Sequence, residues 1–491
     1  MPGIDGPPLR SSAVTIPQPP YPVDGNGSFS NIALAVLVVF SPWVLFKFFI
    51  PYFTLGFWSY LLFLPLTGIP TAIGYWLFVS RIGGFKREAV VRTLPNKPMS
   101  YYFTFKDIEF ARQYSNRKIP MTTFYEAYFD QKLDFNHDIL QTMEARHDWA
   151  SFALTTAFFY DFFTRFLPDV IMHTSVQDAE QIRDHYDRGN DFYNWFLGPR
   201  MIYTSGVVRD ETRIETLEEL QDNKLAFVCH KLDLKPEDRL LDIGCGWGTL
   251  TAYAAKNFGC DATGVTLARE QTKFGTERIA QNGISPNRAR ILCMDAHDIP
   301  DSPAGRFTKI TSLEQAEHVG VRRYQSFMCK IFNLLDDDGI FLLQVAGLRP
   351  SWQYEDLIWG MFMNKYIFPG ADASCSLGWH INQLESAGFE VKSIDVLGVH
   401  YSATIWRWYM NWLQNAGRCS EKYGEKLDRV WRLFLAWSVI VARQGGSSVF
   451  QITLHKNLNK FNRIDGVKSH SSLHFAKREG TSAVEGSPRL D

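Results

Sequence analysis

The hydrophobic pattern separates an apolar N-terminal stretch from a longer region in which short apolar runs alternate with polar ones. Within residues 32–80 the only charged residue is Lys47. Pro51 and Gly56 divide this stretch into two segments, and each is long enough to cross a hydrocarbon core of ~30 Å. The pattern therefore predicts two transmembrane helices in residues 30–80. Because its other prolines favour kinks, the alternative is a re-entrant or monotopic hairpin, which does not cross the membrane.

Basic residues follow the apolar stretch closely, and few acidic residues oppose them: Arg81, Lys86, Arg87, Arg92 and Lys97. Such residues favour the cytosolic side of a membrane, so the rest of the chain is expected in the cytosol. The seven cysteines are scattered without CxxC spacing, which argues against a disulfide framework and against a zinc site. We expect a multi-pass integral membrane protein, with the endoplasmic reticulum as its location and no bound metal.

Helical and strand patterns alternate from about residue 173 to about residue 455. Strands are predicted at 239–243, 260–265, 290–294, 307–312, 339–345, 390–396 and 448–455. Such alternation predicts an α/β fold with a doubly wound, Rossmann-like sheet. The last two strands enclose a long aromatic helical region, so we expect them to close the sheet as an antiparallel pair.

The segments outside this α/β domain, which we place at 173–457, differ from it in composition. Residues 1–29 are rich in Pro, Gly and Ser, and we expect them to be disordered. Residues 81–172 mix helical and aromatic patches as a juxtamembrane region, and residues 458–491 form a polar tail. The formal net charge is −1, so no basic field indicates a nucleic-acid partner. A homo-oligomer stays open.

The most specific chemistry lies in the sequence LLDIGCGWG at residues 240–248. An apolar strand leads into Asp242, and glycines follow at Gly244, Gly246 and Gly248. Glycines allow a sharp turn and a close approach to a ligand, and the helix after them offers free N–H groups. Glycine-rich turns also bind dinucleotides. A GxGxG turn preceded by an aspartate better suits the ammonium group and ribose hydroxyls of S-adenosylmethionine, and we predict that cofactor.

Ligands bind open α/β sheets at the carboxyl ends of the strands, near the point where the strand order reverses. The loops after the first five predicted strands should therefore share one cleft. Besides the glycine loop, they hold residues 266–271, Asp295 with Ala296, Glu317 with His318, and Gln344. No acidic residue ends the second strand, so Gln271 is the better candidate for the ribose hydroxyls.

Five motifs occur in order between residues 185 and 370: HYDRGNDFYNWFLGP, LLDIGCGWG, GVTLAREQ, EHVG and NKYIFPG. Together they resemble the cyclopropane-fatty-acid synthase and mycolic acid methyltransferase family over residues 175–455. The resemblance implies a class I, S-adenosylmethionine-dependent methyltransferase domain whose substrate is a carbon–carbon double bond in a lipid. The apolar hairpin, the juxtamembrane region and the total length are most similar to the fungal sphingolipid C9-methyltransferases. These enzymes methylate C9 of the Δ8-unsaturated sphingoid base, notably in glucosylceramide, so the resemblance implies a 9-methyl sphingoid base as product.

Carried over by position, the resemblance implies a set of residues that contact the cofactor. The set comprises Tyr203, Thr204, Leu240, Leu241, Asp242, Ile243, Gly244, Cys245, Gly246, Trp247, Gly248, Thr266, Leu267, Ala268, Arg269, Glu270, Gln271, Asp295 and Ala296.

The resemblance also implies a site that accepts a proton. In the cyclopropane enzymes a bicarbonate ion, held by a Cys, a Glu, a His and a Tyr, acts as the base. Glu317 and Tyr401 match two of these positions, whereas Ser205 stands at the cysteine position and Gln344 at the histidine position. Our hypothesis is that Glu317 orients or accepts the proton, with Tyr401, Gln344 and Ser205 as supporting donors. The alternative is that Glu317 only satisfies backbone N–H groups at the start of a helix.

The proton that leaves decides the product. Loss from the transferred methyl group closes a cyclopropane, and loss from the adjacent chain carbon restores an alkene that is now branched. The altered Cys and His positions favour the branched alkene. The alternatives are a cyclopropane-fatty-acyl-phospholipid synthase, a sterol C-methyltransferase and a membrane scaffold without catalysis.

Overall fold

The structure is a computed structural model that describes residues 30–49, 55–82, 95–152, 155–166, 189–300, 307–350, 354–369 and 373–460. The N-terminal segment expected to be disordered lies outside the described residues. So do most of the basic cluster, the first residues of the HYDRGND motif and nearly all of the polar tail.

The helices in the described ranges are α1 (Asn31–Phe49), α2 (Phe57–Ile82), α3 (Met99–Tyr102), α4 (Ile108–Tyr114), α5 (Met121–Phe129), α6 (Ile139–Glu144), α7 (Arg146–Trp149), α8 (Thr156–Asp161), α9 (Asn190–Leu197), α10 (Leu217–Lys231), α11 (Thr249–Phe258), α12 (Arg269–Gln281), α13 (Val321–Leu334), α14 (Tyr354–Phe362), α15 (Leu377–Ser386), α16 (Gly398–Tyr423) and α17 (Glu425–Arg443). Short 3-10 turns occupy Ala296–Asp298 and Ala316–His318, and π-helical turns occupy Phe162–Phe166 and Met363–Ile367.

The strands in the same ranges are β1 (Phe103–Phe105), β2 (Ile119–Pro120), β3 (Leu133–Phe135), β4 (Ala150–Ser151), β5 (Arg239–Ile243), β6 (Asp261–Thr266), β7 (Ala289–Cys293), β8 (Phe307–Leu313), β9 (Leu335–Leu348), β10 (Phe389–Val396) and β11 (Ser447–Lys456). Each of the strands predicted from the sequence is present. The strand β9 differs most from its prediction, because it begins four residues earlier than the expected 339.

The chain forms two compact units. The first consists of Met1–Ile171, Gly347–Pro369 and Ala416–Ser448, and the second of Met172–Ala346, Gly370–Asn415 and Val449–Asp491. Residues 347–369 and 416–448 therefore group with the N-terminal unit, although the sequence analysis placed them in the α/β domain. The second unit holds the sheet with the glycine loop.

Two apolar helices, α1 and α2, pair in the first unit. Windows of 18 residues in α1 and 23 in α2 are long and apolar enough to cross a membrane. The Tyr60 hydroxyl donates to the Val39 carbonyl at 2.7 Å, and the Ser41 and Thr67 hydroxyls lie 3.0 Å apart. Their other faces expose large apolar side chains, Trp58 among them at 80%. Such a pair of helices is suited to membrane association.

Ion pairs, one of them buried and two of them half-buried, join distant segments of the first unit. Arg146 pairs with Glu355, and Lys365 contacts the carboxylates of Glu126 at 2.8 Å and Asp161 at 2.9 Å. Burial alone would raise the pKa of Glu355, but Arg146 and His147 lower it to about 2. Removing one partner of the Arg146–Glu355 pair would leave a buried charge uncompensated. Together with the contacts of Lys365, this pair fixes residues 354–369 within the unit.

A seven-stranded sheet forms the centre of the second unit, with the strand order β10-β11-β9-β8-β5-β6-β7. The pairs β8/β9, β5/β8, β5/β6 and β6/β7 are parallel, whereas β10 and β11 pair antiparallel. The predicted doubly wound α/β fold and its antiparallel closing pair are both confirmed. The strand order reverses between β5 and β8, which is where such sheets bind ligands.

Apolar side chains cover both faces of this sheet. Leu240 packs in one buried cluster with Ala262 and Ile291, while Leu241 and Ile243 pack in another with Ile310. Successive side chains of a strand point to opposite faces, so β5 contributes to both clusters. This burial on two sides fixes β5, and with it the start of the loop that follows.

Candidate active site

The glycine loop makes the turn between β5 and α11. Gly244, Gly246 and Gly248 have φ angles of 73°, 53° and 71°, in the left-handed region that favours glycine. The N–H groups of Gly244 and Cys245 both donate to the Val265 carbonyl at 3.0 Å, which ties the loop to the end of β6. A Cβ atom at Gly244 would lie 2.5 Å from Cγ of Gln315, so only glycine fits this position.

Asp242 is fixed by hydroxyl groups from two neighbouring elements. Its carboxylate accepts from Thr311 Oγ1 at 2.9 Å and from Thr251 Oγ1 at 3.1 Å. Burial raises the pKa of Asp242, and the hydroxyl bonds and the charge of Lys224 oppose that rise. The carboxylate is therefore held rigidly where the strand meets the glycine loop.

A cavity opens at the carboxyl ends of β5, β6, β7 and β8. Thirteen of the predicted cofactor residues line it: Tyr203, Thr204, Asp242, Ile243, Gly244, Cys245, Gly246, Trp247, Thr266, Leu267, Gln271, Asp295 and Ala296. Six others do not: Leu240 and Leu241 lie in the sheet core, Gly248 and Ala268 precede helices, and Arg269 and Glu270 are exposed.

Polar groups around the cavity are held by hydrogen bonds. The Thr266 hydroxyl donates to Oε1 of the buried Gln271 at 2.7 Å, which leaves the amide NH₂ of Gln271 as a donor. Asp295 accepts from the backbone N–H of His297 at 2.9 Å, and its hydrogen bond with the His297 side chain lowers its pKa. Both side chains line the cavity and present polar atoms to it.

Lys224 contributes a buried positive charge. Its Nζ donates to the Thr204 hydroxyl at 2.7 Å, and the side chain is only 2% exposed. Burial lowers the pKa of Lys224 to about 8, while the carboxylates of Glu314 and Asp242 oppose this effect. The sequence analysis did not select Lys224, because a lysine in a helix ordinarily indicates a solvated face.

Cys245 places a thiol on the wall of the cavity within the glycine loop. The thiol donates weakly to the Gly246 carbonyl at 3.7 Å. Burial raises the pKa of this thiol, and the negative charge of Asp242 raises it further. The group is therefore a neutral thiol at physiological pH.

Glu314, which the sequence analysis missed, lies directly after β8 on the wall of the cavity. Its φ is 55°, a left-handed conformation that is uncommon for a residue with a side chain. Its Oε1 accepts from Gln344 Nε2 at 2.6 Å and from the Ser205 N–H at 3.0 Å. The Tyr401 hydroxyl also donates to this carboxylate. The positions Ser205, Gln344 and Tyr401 thus meet at one carboxylate.

Glu317 occupies a different environment three residues further on. It is buried in the 3-10 turn Ala316–His318 and does not line the cavity. Its Oε1 accepts from the Ala346 N–H at 2.5 Å, and its Oε2 is buried without a hydrogen-bond partner among the described residues. Burial and the nearby Glu314 raise the pKa of Glu317 to about 8.

Gln344 and Ser205, which both donate to Glu314, are held in place by further hydrogen bonds. Gln344 Oε1 accepts from Gln451 Nε2 at 2.9 Å, which directs the NH₂ group of Gln344 toward Glu314. The hydroxyl of Ser205 donates to the Gly206 carbonyl at 2.9 Å, so this residue offers its backbone N–H to Glu314. Within the described residues no group of His, Cys, Asp and Glu could hold a metal ion.

The sheet order, the glycine loop and the cavity beyond it define an S-adenosylmethionine-dependent methyltransferase of class I. The residues fit that cofactor, because the turn admits only glycine at Gly244 and because Asp242, Gln271 and Asp295 present polar atoms to the same cavity. The family model described as mycolic acid cyclopropane synthetase matches residues 173–452. The chain belongs to this family.

Similar proteins extend the comparison beyond the α/β domain. Sphingolipid C9-methyltransferase 2 of Gibberella zeae is 51% identical over 461 residues, which cover 93% of this chain and 87% of that protein. Sphingolipid C9-methyltransferase A of Emericella nidulans is 49% identical over 477 residues, which cover 96% of this chain and 91% of that protein.

A solved structure resembles more than half of the chain. It is a mycolic acid cyclopropane synthase complexed with SAH and CTAB, with a TM-score of 0.52 and 26% sequence identity, and it covers 57% of this chain and 98% of its own. SAH is the product that remains when S-adenosylmethionine has given up its methyl group. The chain is thus an enzyme with S-adenosylmethionine as its cofactor.

Proposed function

We propose that this enzyme methylates C9 of the Δ8 double bond in a sphingoid base, with glucosylceramide as the lipid that carries it. The observation that supports this substrate best is the extent of the similarity. The Gibberella zeae and Emericella nidulans sphingolipid methyltransferases match more than nine-tenths of the chain, whereas the mycolic acid cyclopropane synthase covers 57% of it. Most of the residues before 173, which the mycolic acid cyclopropane synthetase family model does not match, are thus shared with the sphingolipid methyltransferases, and this supports the proposal.

We propose that thirteen of the predicted cofactor residues, those on the cavity wall, hold S-adenosylmethionine. When bound there, S-adenosylmethionine supplies an electrophilic methyl group. Asp242 is the candidate for its ammonium group, and Gln271 and Asp295 are the candidates for its ribose hydroxyls. The N–H groups at the start of α11, which no helical carbonyl satisfies, lie beside the same loop.

Aromatic residues next to the cavity suit the charge that alkene methylation creates. Tyr203 lines the cavity, and its ring lies 5.3 Å from that of the buried Trp408, which in turn lies 5.8 Å from the ring of Tyr401. Methylation of a double bond leaves a positive charge on the neighbouring carbon. An aromatic face stabilises a cation by about 0.5–2 kcal/mol without trapping it as a hydroxyl group would.

The hydrogen-bonded group around the end of β8 is the proposed proton-transfer site. Glu317, Tyr401, Gln344 and Ser205 surround or contact the same carboxylate, that of Glu314. Their arrangement, with Ser and Gln in place of Cys and His, supports removal of a proton from the lipid chain and not from the new methyl group. A branched alkene is the expected product.

We propose that α1 and α2 span the membrane of the endoplasmic reticulum and that the methyltransferase domain, at about residues 173–457, lies on its cytosolic side. The two helices are long and apolar enough, and the basic residues that follow them support this orientation. A sphingolipid would then reach the enzyme from the bilayer in which it resides.

The test uses microsomes from a yeast strain that lacks its own sphingolipid methylation and expresses this chain. The microsomes are incubated with S-adenosylmethionine labelled in its methyl group, with Δ8-unsaturated glucosylceramide and with an unsaturated phospholipid. Labelled lipids are separated, fragmented and examined by NMR. A Gly244→Val variant, in which the cavity wall is crowded, is the control for cofactor-dependent labelling.

Label on the sphingoid base, with one vinyl proton retained, is the expected result. A cyclopropane signal on a phospholipid acyl chain would show instead that the enzyme is a cyclopropane synthase. Label on a sterol, or cofactor binding without labelled lipid, would equally contradict the proposal.

A further inference from the structure

Three hydrogen-bond donors that converge on one point form a site for an anion. In this protein the carboxylate of Glu314 occupies that site. Ser205 and Gln344 donate to Glu314 at 3.0 and 2.6 Å, and the Tyr401 hydroxyl donates to the same group. These three positions are those that the resemblance aligned with the residues around bicarbonate in the cyclopropane enzymes. The carboxylate of Glu314 therefore takes the place that a free anion such as bicarbonate would occupy.

We propose that Glu314 is the built-in base of this enzyme and takes the proton that the cyclopropane enzymes pass to bicarbonate. The inference rests on the proposed alkene methylation. It assigns the step to a residue that faces the cavity, whereas Glu317 is buried behind the wall.

The surroundings of Glu314 offset the cost of burying its charge. Burial raises the pKa of Glu314, whereas hydrogen bonds from three donors and the ammonium group of Lys224 stabilise the carboxylate and oppose that rise. The strained left-handed backbone at Glu314 turns the side chain toward these donors, and the neighbouring fold holds it there. The amide of Gln344 cannot turn away from Glu314 without losing its bond from Gln451.

Glu317 complements Glu314 as its protonated neighbour. Two nearby carboxylates do not both ionise readily in a buried site. The Oε1 atom of Glu317 accepts from the Ala346 N–H, and its Oε2 is buried without a partner among the described residues. It therefore keeps the proton, which leaves Glu314 as the anion of the pair. Glu317 is then a positioning residue that sets the charge of Glu314.

The proposed reaction balances without any further reactant. The double bond of the lipid attacks the methyl carbon of the sulfonium donor, so a carbon–carbon bond forms at C9 and the carbon–sulfur bond breaks with its electron pair left on sulfur. The positive charge resides on C8. The C9–H bond then breaks, its electron pair restores the C8=C9 double bond, and Glu314 becomes a neutral carboxylic acid.

The first test removes bicarbonate from the full-length enzyme in nanodiscs. Turnover of the wild-type enzyme is expected to be the same in bicarbonate-depleted and bicarbonate-supplemented buffer. The Glu314→Gln variant keeps the size of the side chain but cannot accept the proton, so turnover should fall about 100-fold or more. Its affinity for S-adenosylmethionine, measured by calorimetry, should stay within about threefold of wild type if the fold is intact.

A smaller side chain gives the complementary result. The Glu314→Ala variant leaves a space lined by donors, and added bicarbonate or formate is expected to restore part of its turnover. The Glu314→Gln variant should not respond, because the amide fills that space. Glu277→Gln, at an exposed carboxylate on α12, is the matched control and should behave as wild type in every assay.

Infrared difference spectra provide a readout that does not depend on activity. At pH 7 the wild-type spectrum minus that of Glu314→Gln should contain a carboxylate band. The wild-type spectrum minus that of Glu317→Gln should contain the band of a protonated carboxyl group.

A wild-type enzyme that needs bicarbonate would overturn the inference, and so would a Glu314→Gln variant with near-normal turnover. A carboxylate band that belongs to Glu317 instead would also do so. If the labelled product were a lipid other than a sphingolipid, these measurements would still decide which group accepts the proton. The two proposals therefore fail separately.

Discussion

Three carboxylates at or near the cavity, those of Asp242, Glu314 and Glu317, differ because their partners differ. Asp242 is bonded by two threonine hydroxyls, Glu314 by three donors from separate segments, and Glu317 by one backbone N–H. The number of donors determines which carboxylate can carry a charge at low cost. Position along the chain does not, since Glu314 and Glu317 are neighbours in the sequence.

The raised pKa of Glu317 predicts a pH dependence of stability. Its ordinary pKa of 4.5 rises to about 8 in the folded enzyme. The folded state thus binds the proton more tightly, and its contribution to stability is fully present below pH 4.5. That contribution, up to about 5 kcal/mol, is lost as the pH rises from about 4.5 to about 8.

In the Glu317→Gln variant the side chain cannot ionise, so its stability should not show this decrease with rising pH. Free energies of unfolding of the two enzymes, measured between pH 5 and pH 9, are expected to diverge in favour of the variant as the pH rises. Parallel curves would mean that Glu317 is ionised in the folded enzyme throughout this range.

Thirteen of the residues selected from the sequence line the cavity, whereas Glu314, which also lines it, was not selected. The glycines and Asp242 follow one strand directly, so a local pattern indicates them. The orientation of Glu314 depends on a left-handed backbone angle and on donors more than 100 residues before it and 30 after it. A carboxylate placed immediately after a buried strand was the one local indication.

At the scale of elements, the strands were predicted well because buried parallel strands are short apolar runs between helical patterns. The strand β5 was predicted at its observed bounds, and β8 was predicted one residue short of Leu313. The longer β9 was underestimated, because its first residues include Asp336, Asp337 and Asp338. Acidic residues are uncommon in strands. Here Leu335 pairs with Phe307 ahead of the three aspartates, and the regular pairing with β8 resumes at Ile340 after an irregularity in the register.

The tight turn between β5 and α11 predicts that replacing Gly244 with alanine strongly reduces the affinity for S-adenosylmethionine. In Gly244→Ala the new Cβ would overlap Gln315 and the backbone would be strained at a φ of 73°. We expect affinity for S-adenosylmethionine, measured by calorimetry, to fall about tenfold or more, since the loop must move to relieve the overlap.

Gly283→Ala is the matched control for this substitution. Gly283 has a similar φ of 68°, but a Cβ atom added there would meet nothing within 4 Å. The variant should lose stability by about 1 kcal/mol through strain alone and keep its cofactor affinity. Equal losses of affinity in the two variants would contradict the role given to the overlap.

The chain forms two compact units, and each unit is built from three separate segments of the sequence. Segments 347–369 and 416–448 lie far from the N-terminus in sequence, yet they belong to the unit that holds α1 and α2. Contacts such as that of Arg146 with Glu355 join residues more than 200 positions apart. No local pattern reveals such pairing, so the sequence predicted a linear division of the chain.

The proposed membrane hairpin predicts how the full chain partitions. Leu62 and Leu66 on α2 are 65% and 63% exposed. Arginine at both positions should cost about 2.5–3.5 kcal/mol for each charge in a bilayer. We expect the wild-type chain to stay with membranes in alkaline carbonate extraction and the double arginine variant to appear in the supernatant.

Alanine at the same two positions removes apolar area without adding charge. This double variant should remain with the membranes, which separates the effect of charge from that of a smaller side chain. A wild-type chain that carbonate releases would show that the helices lie on the membrane surface and do not cross it.

The neutral state of the Cys245 thiol prevents its methylation by S-adenosylmethionine. With S-adenosylmethionine bound in the cavity as proposed, a thiolate at Cys245 on the cavity wall would attack its methyl group and form a methyl thioether. Because burial and Asp242 raise the pKa of Cys245, the sulfur keeps its proton and remains a poor nucleophile. A cysteine can therefore stand in the glycine loop without being methylated. The methyl group stays available for transfer to the lipid.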